Sequence, residues 1–201
     1  MKVSFDLPDG LVEFFVPLVL LWRRVRYGYA FRRVATSKGL YVKVEPGDYE
    51  LVTNYSWHAE GPRGKYYAKA YCHSEQTGRN TDRVSMHRLI MKAPKGVLVD
   101  HINGMTLDNR RGNLRFANHS QNAANSGIRA NNTTGYKGVV YRRKYDKYSA
   151  TIRHEGKRHW LGYFDSAKEA ARAYDAGALK YHGRFARLNF PVGKGVMGSR
   201  N

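Results

Sequence analysis

The stretch VDHINGMTLDNRRGNLRFANHSQN, residues 99–122, decides the architecture expected for the middle of the chain. The apolar run Val97-Leu98-Val99 suits a strand leading into Asp100-His101. A polar, Gly-bearing loop from Asn103 to Gly112 follows. Asn113-Leu114-Arg115-Phe116-Ala117 reads as a second short strand, and Ser120 is the residue type expected at a helix N-cap, predicting a helix to about Ala130. The local order is strand, loop, strand, helix.

That order places a carboxylate, an imidazole and several amides close together. Hydrolysis of a phosphodiester needs a hard divalent cation held by oxygen ligands, a base for the attacking water, and room for in-line displacement. Asp100 has the chemistry of a metal ligand, and His101 carries an imidazole, whose unperturbed pKa suits a base. Neighbours along a strand face opposite ways, so both serve one phosphate only where the strand breaks, and Asn103-Gly104 supplies a break. Taken alone, an Asp-His pair is more often a surface or core-satisfying pair, and Asn-rich loops more often supply turns and caps.

Upstream, Leu40–Val44 and Tyr66–Ala70 read as strands separated by Pro46-Gly47-Asp48 and Gly61-Pro62-Arg63-Gly64, which predicts antiparallel sheet. Val84–Met91 suits a short helix or a strand. Downstream, Ser126–Thr134 has the composition of a hinge, placing a module boundary there. Beyond it, Gly138–Arg143, Tyr148–Arg153 and Arg158–Tyr163 predict a three-stranded meander with turns at Lys144–Lys147 and Glu155-Gly156. Alternation sets Tyr148, Ala150 and Ile152 on one face and Ser149, Thr151 and Arg153 on the other. Ser166 and Glu169 form a capping box, Ala170, Ala171, Tyr174, Ala178 and Tyr181 recur at helical spacing, and Gly183 is a C-cap candidate.

Charge names the class of partner. The 201 residues carry 35 Lys/Arg against 16 Asp/Glu, a formal +19, so an anionic polymer is expected, nucleic acid ahead of an acidic membrane. Residues 135–192 hold 13 of the basic and 5 of the acidic residues, so both halves are suited to meet phosphate. Cys72 is the sole cysteine, which excludes an intramolecular disulfide and a Cys-based zinc knuckle and fits a reducing, cytoplasmic setting. Its expected role is that of a small buried residue. The apolar run Leu11–Trp22 is broken by Glu13 and Pro17 and falls short of the roughly 18 residues of a spanning helix. Asp6 and Asp9 before it and Arg23-Arg24 after it argue against a signal peptide. Residues 1–35 read as an extension without an assigned role, and 193–201 as a loose tail.

Two family resemblances add to this reading. Val99-Asp100-His101, Asp108-Asn109-Arg110, Asn113-Leu114-Arg115 and Asn122, with MHRLIM at 86–91, resemble the HNH family of ββα-metal nucleases in the His-Asn-Asn variant of phage and intron homing endonucleases, over about residues 38–125. The resemblance implies Asp100 and Asn122 as metal ligands, His101 as general base, and Asn113 as the residue that pins the loop. A neutral amide at 122 in place of a third His favours Mg²⁺ or Mn²⁺ over zinc. His87 is read as structural, and the role of His119 stays open.

YKGV at 136–139, WLGYF at 160–164, AARAYD at 170–175 and LNFP at 188–191 resemble the AP2 DNA-binding domain of plant transcription factors, also fused to HNH nucleases in phages and bacteria. By position this implies Lys137, Arg142, Arg153, Arg158 and Trp160 as DNA contacts. Trp160 either stacks on the backbone of DNA or covers the sheet. Val140 and Thr151 stand where Arg and Glu are frequent, so the plant domain's preferred sequence does not carry over.

The expectation is therefore an α+β chain. An HNH module at 36–125, preceded by antiparallel strands, is joined by a linker at 126–134 to an AP2-like module at 135–192 with a three-stranded antiparallel sheet on one helix. Its expected activity is a homing-type endonuclease on double-stranded DNA, in a bacterial or phage-infected cell. One metal site suits nicking of one strand per event, with a monomer favoured and no membrane or small-molecule cofactor. The alternative is a sequence-specific DNA-binding regulator with an inactive nuclease domain; an RNP-like strand that would favour RNA is not evident.

Overall fold

A computed structural model describes residues 15–62, 64–72 and 82–191. These form two compact units, one from the described residues up to Lys95 together with Met105–Arg115, the other from Gly96–Gly104 together with those from Phe116 onward.

In the first unit, helix α1 (Val16–Tyr27) has Pro17 in its first turn and ends at Gly28, φ 78°, whose N–H returns to the Arg24 carbonyl. Strands β1 (Arg32–Ala35) and β2 (Tyr41–Val44) form an antiparallel ribbon. Helix α2 (Tyr49–Thr53) leads to β3 (His58–Glu60), β4 (Tyr67–Cys72) and β5 (Asp82–Ser85), an antiparallel sheet in the order β3-β4-β5. Helix α3 (Met86–Ile90) follows at once, so Val84–Met91 is a strand and then a helix. Phe31, Val34, Val42, Val44, Val52, Trp57, Met86 and Ile90 are buried, and the Trp57 indole donates to the Val52 carbonyl at 2.7 Å.

Residues 32–35, read from sequence as part of an unassigned extension, thus pair into a sheet, and Phe31 before them is a core residue. Among the described residues no helix is long and apolar enough to cross a membrane. The readings on residues 1–14, on the side chain of Cys72 and on the tail 193–201 fall outside the described residues. Segment 105–113 is tied to the same unit. Lys43 N–H donates to the Leu107 carbonyl and Asn109 N–H to the Lys43 carbonyl, both at 2.8 Å. Arg111 binds the buried Asp48 carboxylate through two nitrogens, and Arg110 grips Asp108 the same way.

In the second unit, β6 (Leu98–His101) belongs to a two-stranded sheet with β7 (Leu114–Ala117), whose last residues lie in this unit. Helix α4 runs from His119 to Ala124. Its N-cap is Asn118, not Ser120, and it stops well before Ala130. Asn118 Oδ1 accepts from Gln121 N–H at 2.8 Å and Gln121 Oε1 accepts from Asn118 N–H at 2.9 Å. Two donors of the first turn are thereby satisfied reciprocally. A cap at Ser120 would place Ala123, which has no side-chain acceptor, at the reciprocal position.

The meander follows as β8 (Val139–Arg142), β9 (Lys147–His154) and β10 (Lys157–Phe164), with β9 central. Glu155 and Gly156 both have positive φ, 49° and 78°, the conformation that a two-residue hairpin turn requires. Helix α5 (Ala167–His182) begins with the Ser166/Glu169 capping box and ends at Gly183. Its Ala170 and Ala171 pack with Val139 and Ala150, and its Tyr174 and Ala178 with Ile152. Small residues on this face permit the close approach: a Cβ on Gly177 would lie 2.9 Å from Leu161. The buried Asp175 carboxylate accepts from the Asn189 and Phe190 N–H groups, both at 2.8 Å. Asn189 in turn exchanges hydrogen bonds with both backbone groups of Lys137, so LNFP closes on YKGV.

Candidate active site and nucleic-acid interface

Asp100 and His101 end strand β6, and both are buried, at 6% and 4% exposure. The chain turns immediately after them: Gly104, φ 73°, donates its N–H to the His101 carbonyl at 2.8 Å. The break expected at Asn103-Gly104 is this turn.

A residue that the sequence reading passed over holds the pair. Asn125, the C-cap of α4 and buried, donates its amide to both Asp100 carboxylate oxygens at 3.0 Å and to the His101 carbonyl at 2.8 Å. A carboxylate has about four lone-pair sites, and the Asn125 amide takes one on each oxygen. Asn122 is exposed and one helical turn before Asn125. Residues three apart are neighbours on a helix surface, so Asn122 lies next to Asn125 on α4. Among the described residues no three His, Cys, Asp or Glu side chains converge on a metal position. One carboxylate and one amide oxygen are donors that would suit a hard cation keeping water or phosphate as its other ligands.

Asn113 lies in the first unit, buried, and its amide donates to the Asp108 carbonyl at 2.7 Å, tying together the two ends of a tight loop. His87 sets its ring 6.0 Å from that of Tyr67. His119 is exposed on the first turn of α4.

The three-stranded sheet has one face on α5 and one outward. Register puts Arg158 opposite Arg153 and Trp160 opposite Thr151 on the outward face, with Arg142 on the neighbouring strand. All three arginines are exposed. Trp160 is 62% exposed and meets Tyr163 edge-on at 5.5 Å between centroids, so it does not serve as core cover. Tyr163 reaches this face through a register shift between Trp160 and Gly162. A bulge adds one residue to the strand, so residues three apart share a face that strict alternation would deny them. The Gly162 within WLGYF was the available signal.

Lys137 is not brought to that face. Its ammonium donates to the Ala124 and Ser126 carbonyls at the end of α4, the latter at 2.7 Å. Burial, reinforced by nearby Arg187, pushes its pKa down to about 8. His182 is lowered by burial, with His154 and Lys137 adding to the effect.

A family model described as HNH endonuclease matches residues 86–124, the segment that carries Asp100, His101, Asn113 and Asn122. Protein 3.8 of Escherichia phage T7 is 34% identical over 95 residues, covering 47% of this chain and 78% of that protein. The chain belongs to the HNH endonuclease family. An HNH endonuclease of Acanthamoeba polyphaga mimivirus, described as uncharacterized, is 27% identical over 165 residues, 79% of this chain and 80% of the viral protein. An ethylene-responsive transcription factor of Arabidopsis thaliana is 50% identical over 62 residues. That match covers 30% of this chain, which spans 24% of the plant factor's length. This HNH chain therefore combines a nuclease-family segment with a likeness to AP2/ERF proteins over its C-terminal part.

Proposed function

We propose that this HNH protein is a divalent-metal-dependent DNA endonuclease of the homing type, acting as a monomer on double-stranded DNA and nicking one strand per event. The observation that carries the reading is the buried Asp100-His101 step at the end of β6, held by the Asn125 amide. In this reading His101 takes the proton of the attacking water, and the electron pair of the breaking P–O bond leaves with the sugar oxygen. Asp100 and Asn122 would hold Mg²⁺ or Mn²⁺, and the bound ion would supply charge neutralisation at the phosphate. Asn113 fixes the loop that follows the first strand. The functional modules run 36–125 and 135–192, joined by 126–134. Arg142, Arg153, Arg158 and Trp160 meet duplex DNA, and Lys137 has a different task, argued below.

Supercoiled plasmid incubated with Mg²⁺ tests this. Nicked circles should form with the intact protein, vanish with EDTA, and fall by about 10²- to 10⁴-fold with His101→Ala, the range that general-base catalysis contributes. DNA that stays supercoiled in Mg²⁺ and Mn²⁺ while still shifting on a gel would leave a regulator. The arginine row has its own signature. Losing one phosphate contact by Arg158→Ala should flatten the slope of log K against log salt by about 0.9. An unchanged slope with unchanged affinity would remove Arg158 from the interface.

A further inference from the structure

The boundary 126–134 reads in sequence as a hinge, yet helix α4 on one side of it packs against α5 and the turn Gly183–Phe185 on the other, all within one compact unit. The contact has an apolar and two polar parts. Phe185 is buried with Ala117 and Ala124. Lys137 donates its ammonium to the carbonyls of Ala124 and Ser126, groups left without helical partners where α4 ends. A cation there also meets the negative end of the helix dipole. Arg187 lies over the turn that follows His101, close enough that a Cβ on Gly104 would fall 2.3 Å from its Nη1.

The connecting segment is itself ordered by its own polar groups. Asn132 Oδ1 accepts from the N–H groups of Thr134 at 3.1 Å and Gly135 at 2.7 Å, while its amide donates to the Tyr136 carbonyl at 2.8 Å. Lys137 backbone atoms are held by Asn189 at the same time as its side chain holds α4. One residue thus belongs to the closure of the three-stranded module and to the end of the helix that carries Asn122 and Asn125.

We infer that Lys137, Phe185 and Arg187 are positioning residues that lock α4 and the Asp100-His101 turn onto the three-stranded module, so that the nick falls at a fixed offset from the sequence the sheet reads. The offset half of this inference rests on the proposed nuclease reading; the lock does not. A free nine-residue tether, 126–134, would reach about 30 Å when extended. At 3.4 Å per base along a strand, that would spread nicks across roughly nine positions. A locked helix confines them.

Residual dipolar couplings on the full chain without DNA test the lock independently of cleavage. Amides of β6 and α4 and amides of β8–β10 should fit one alignment tensor in the unaltered protein and two in Lys137→Met, with Phe185→Ser as a second variant. The β8–β10 amide spectrum reports whether each variant keeps its sheet. Nicks on a plasmid of known sequence, mapped by primer extension, should hold one offset from their common motif in the unaltered protein and scatter across roughly nine positions in Lys137→Met. A Gly-Ser-Gly-Ser insertion after Gly127 should leave the offset in place, because the docked contact and not the tether sets it. Two tensors in the unaltered protein would overturn the lock, and so would an offset that moves with the insertion. A single tensor with no cleavage would leave the lock standing and sink the nuclease reading instead.

Discussion

Asn125→Ala should lower Mg²⁺-dependent nicking by about 10- to 100-fold, the usual cost of losing a residue that orients a metal ligand. Asn125 spends its amide on both oxygens of Asp100 and on the carbonyl of His101. Without it the carboxylate is less tightly held, and the His101 carbonyl keeps the Gly104 N–H but loses the Asn125 amide. The loss should appear mainly as a raised Mg²⁺ requirement, partly recovered at high Mg²⁺, with DNA affinity unchanged. Asn125→Asp should be worse, since it sets a second carboxylate against Asp100. A variant that nicks at the normal rate in limiting Mg²⁺ would show that Asp100 is oriented by something else. Thermal melting alongside separates this from a general loss of fold, because Asn125 is buried at the end of α4.

What the sequence made legible, and what it did not, divides along the range of the interaction. The Ser166/Glu169 box, the Ala-rich face of α5, the Glu155-Gly156 turn and the alternation in β9 are rules that act within a few residues, and each is met in the fold. Asn125 was not legible because its partner is 25 residues away and no local pattern marks it. The start of α4 was misread within the local rules themselves. Asn118 and Ser120 both satisfy the type preference of an N-cap, and the choice falls to the reciprocal bond from Gln121. Tyr163 was missed because one inserted residue shifts the phase of a strand. Lys137 has the expected place in YKGV, yet its side chain turns toward α4. Position in a motif does not fix where a long flexible side chain points.

The other large effect belongs to Gly138, and a comparison with Gly135 separates its two causes. Both have positive φ, 74° at Gly135 and 76° at Gly138. A Cβ at Gly135 meets nothing within 4 Å, whereas at Gly138 it would fall 2.0 and 2.2 Å from two ring carbons of Tyr174 and 2.9 Å from the Thr151 carbonyl oxygen. Gly135→Ala should therefore cost only the left-handed backbone penalty, about 1–2 kcal/mol. Gly138→Ala adds overpacking against the Tyr174 ring, for a total of about 2–5 kcal/mol. For a module of this size each kcal/mol moves the melting temperature by roughly 4–8 °C, so the two variants should be well separated in a calorimetric scan. Adding Tyr174→Leu to Gly138→Ala should return the steric part and leave the backbone part, bringing the pair of substitutions back toward Gly135→Ala plus the cost of the lost ring. Equal melting of the two single variants would mean that Tyr174 yields easily. That outcome would also loosen the close seating of α5 that carries the outward face with Arg153, Arg158 and Trp160. DNA affinity below the melting transition should fall for Gly138→Ala only as far as that face is distorted, because Gly138 lends the contact no side chain of its own.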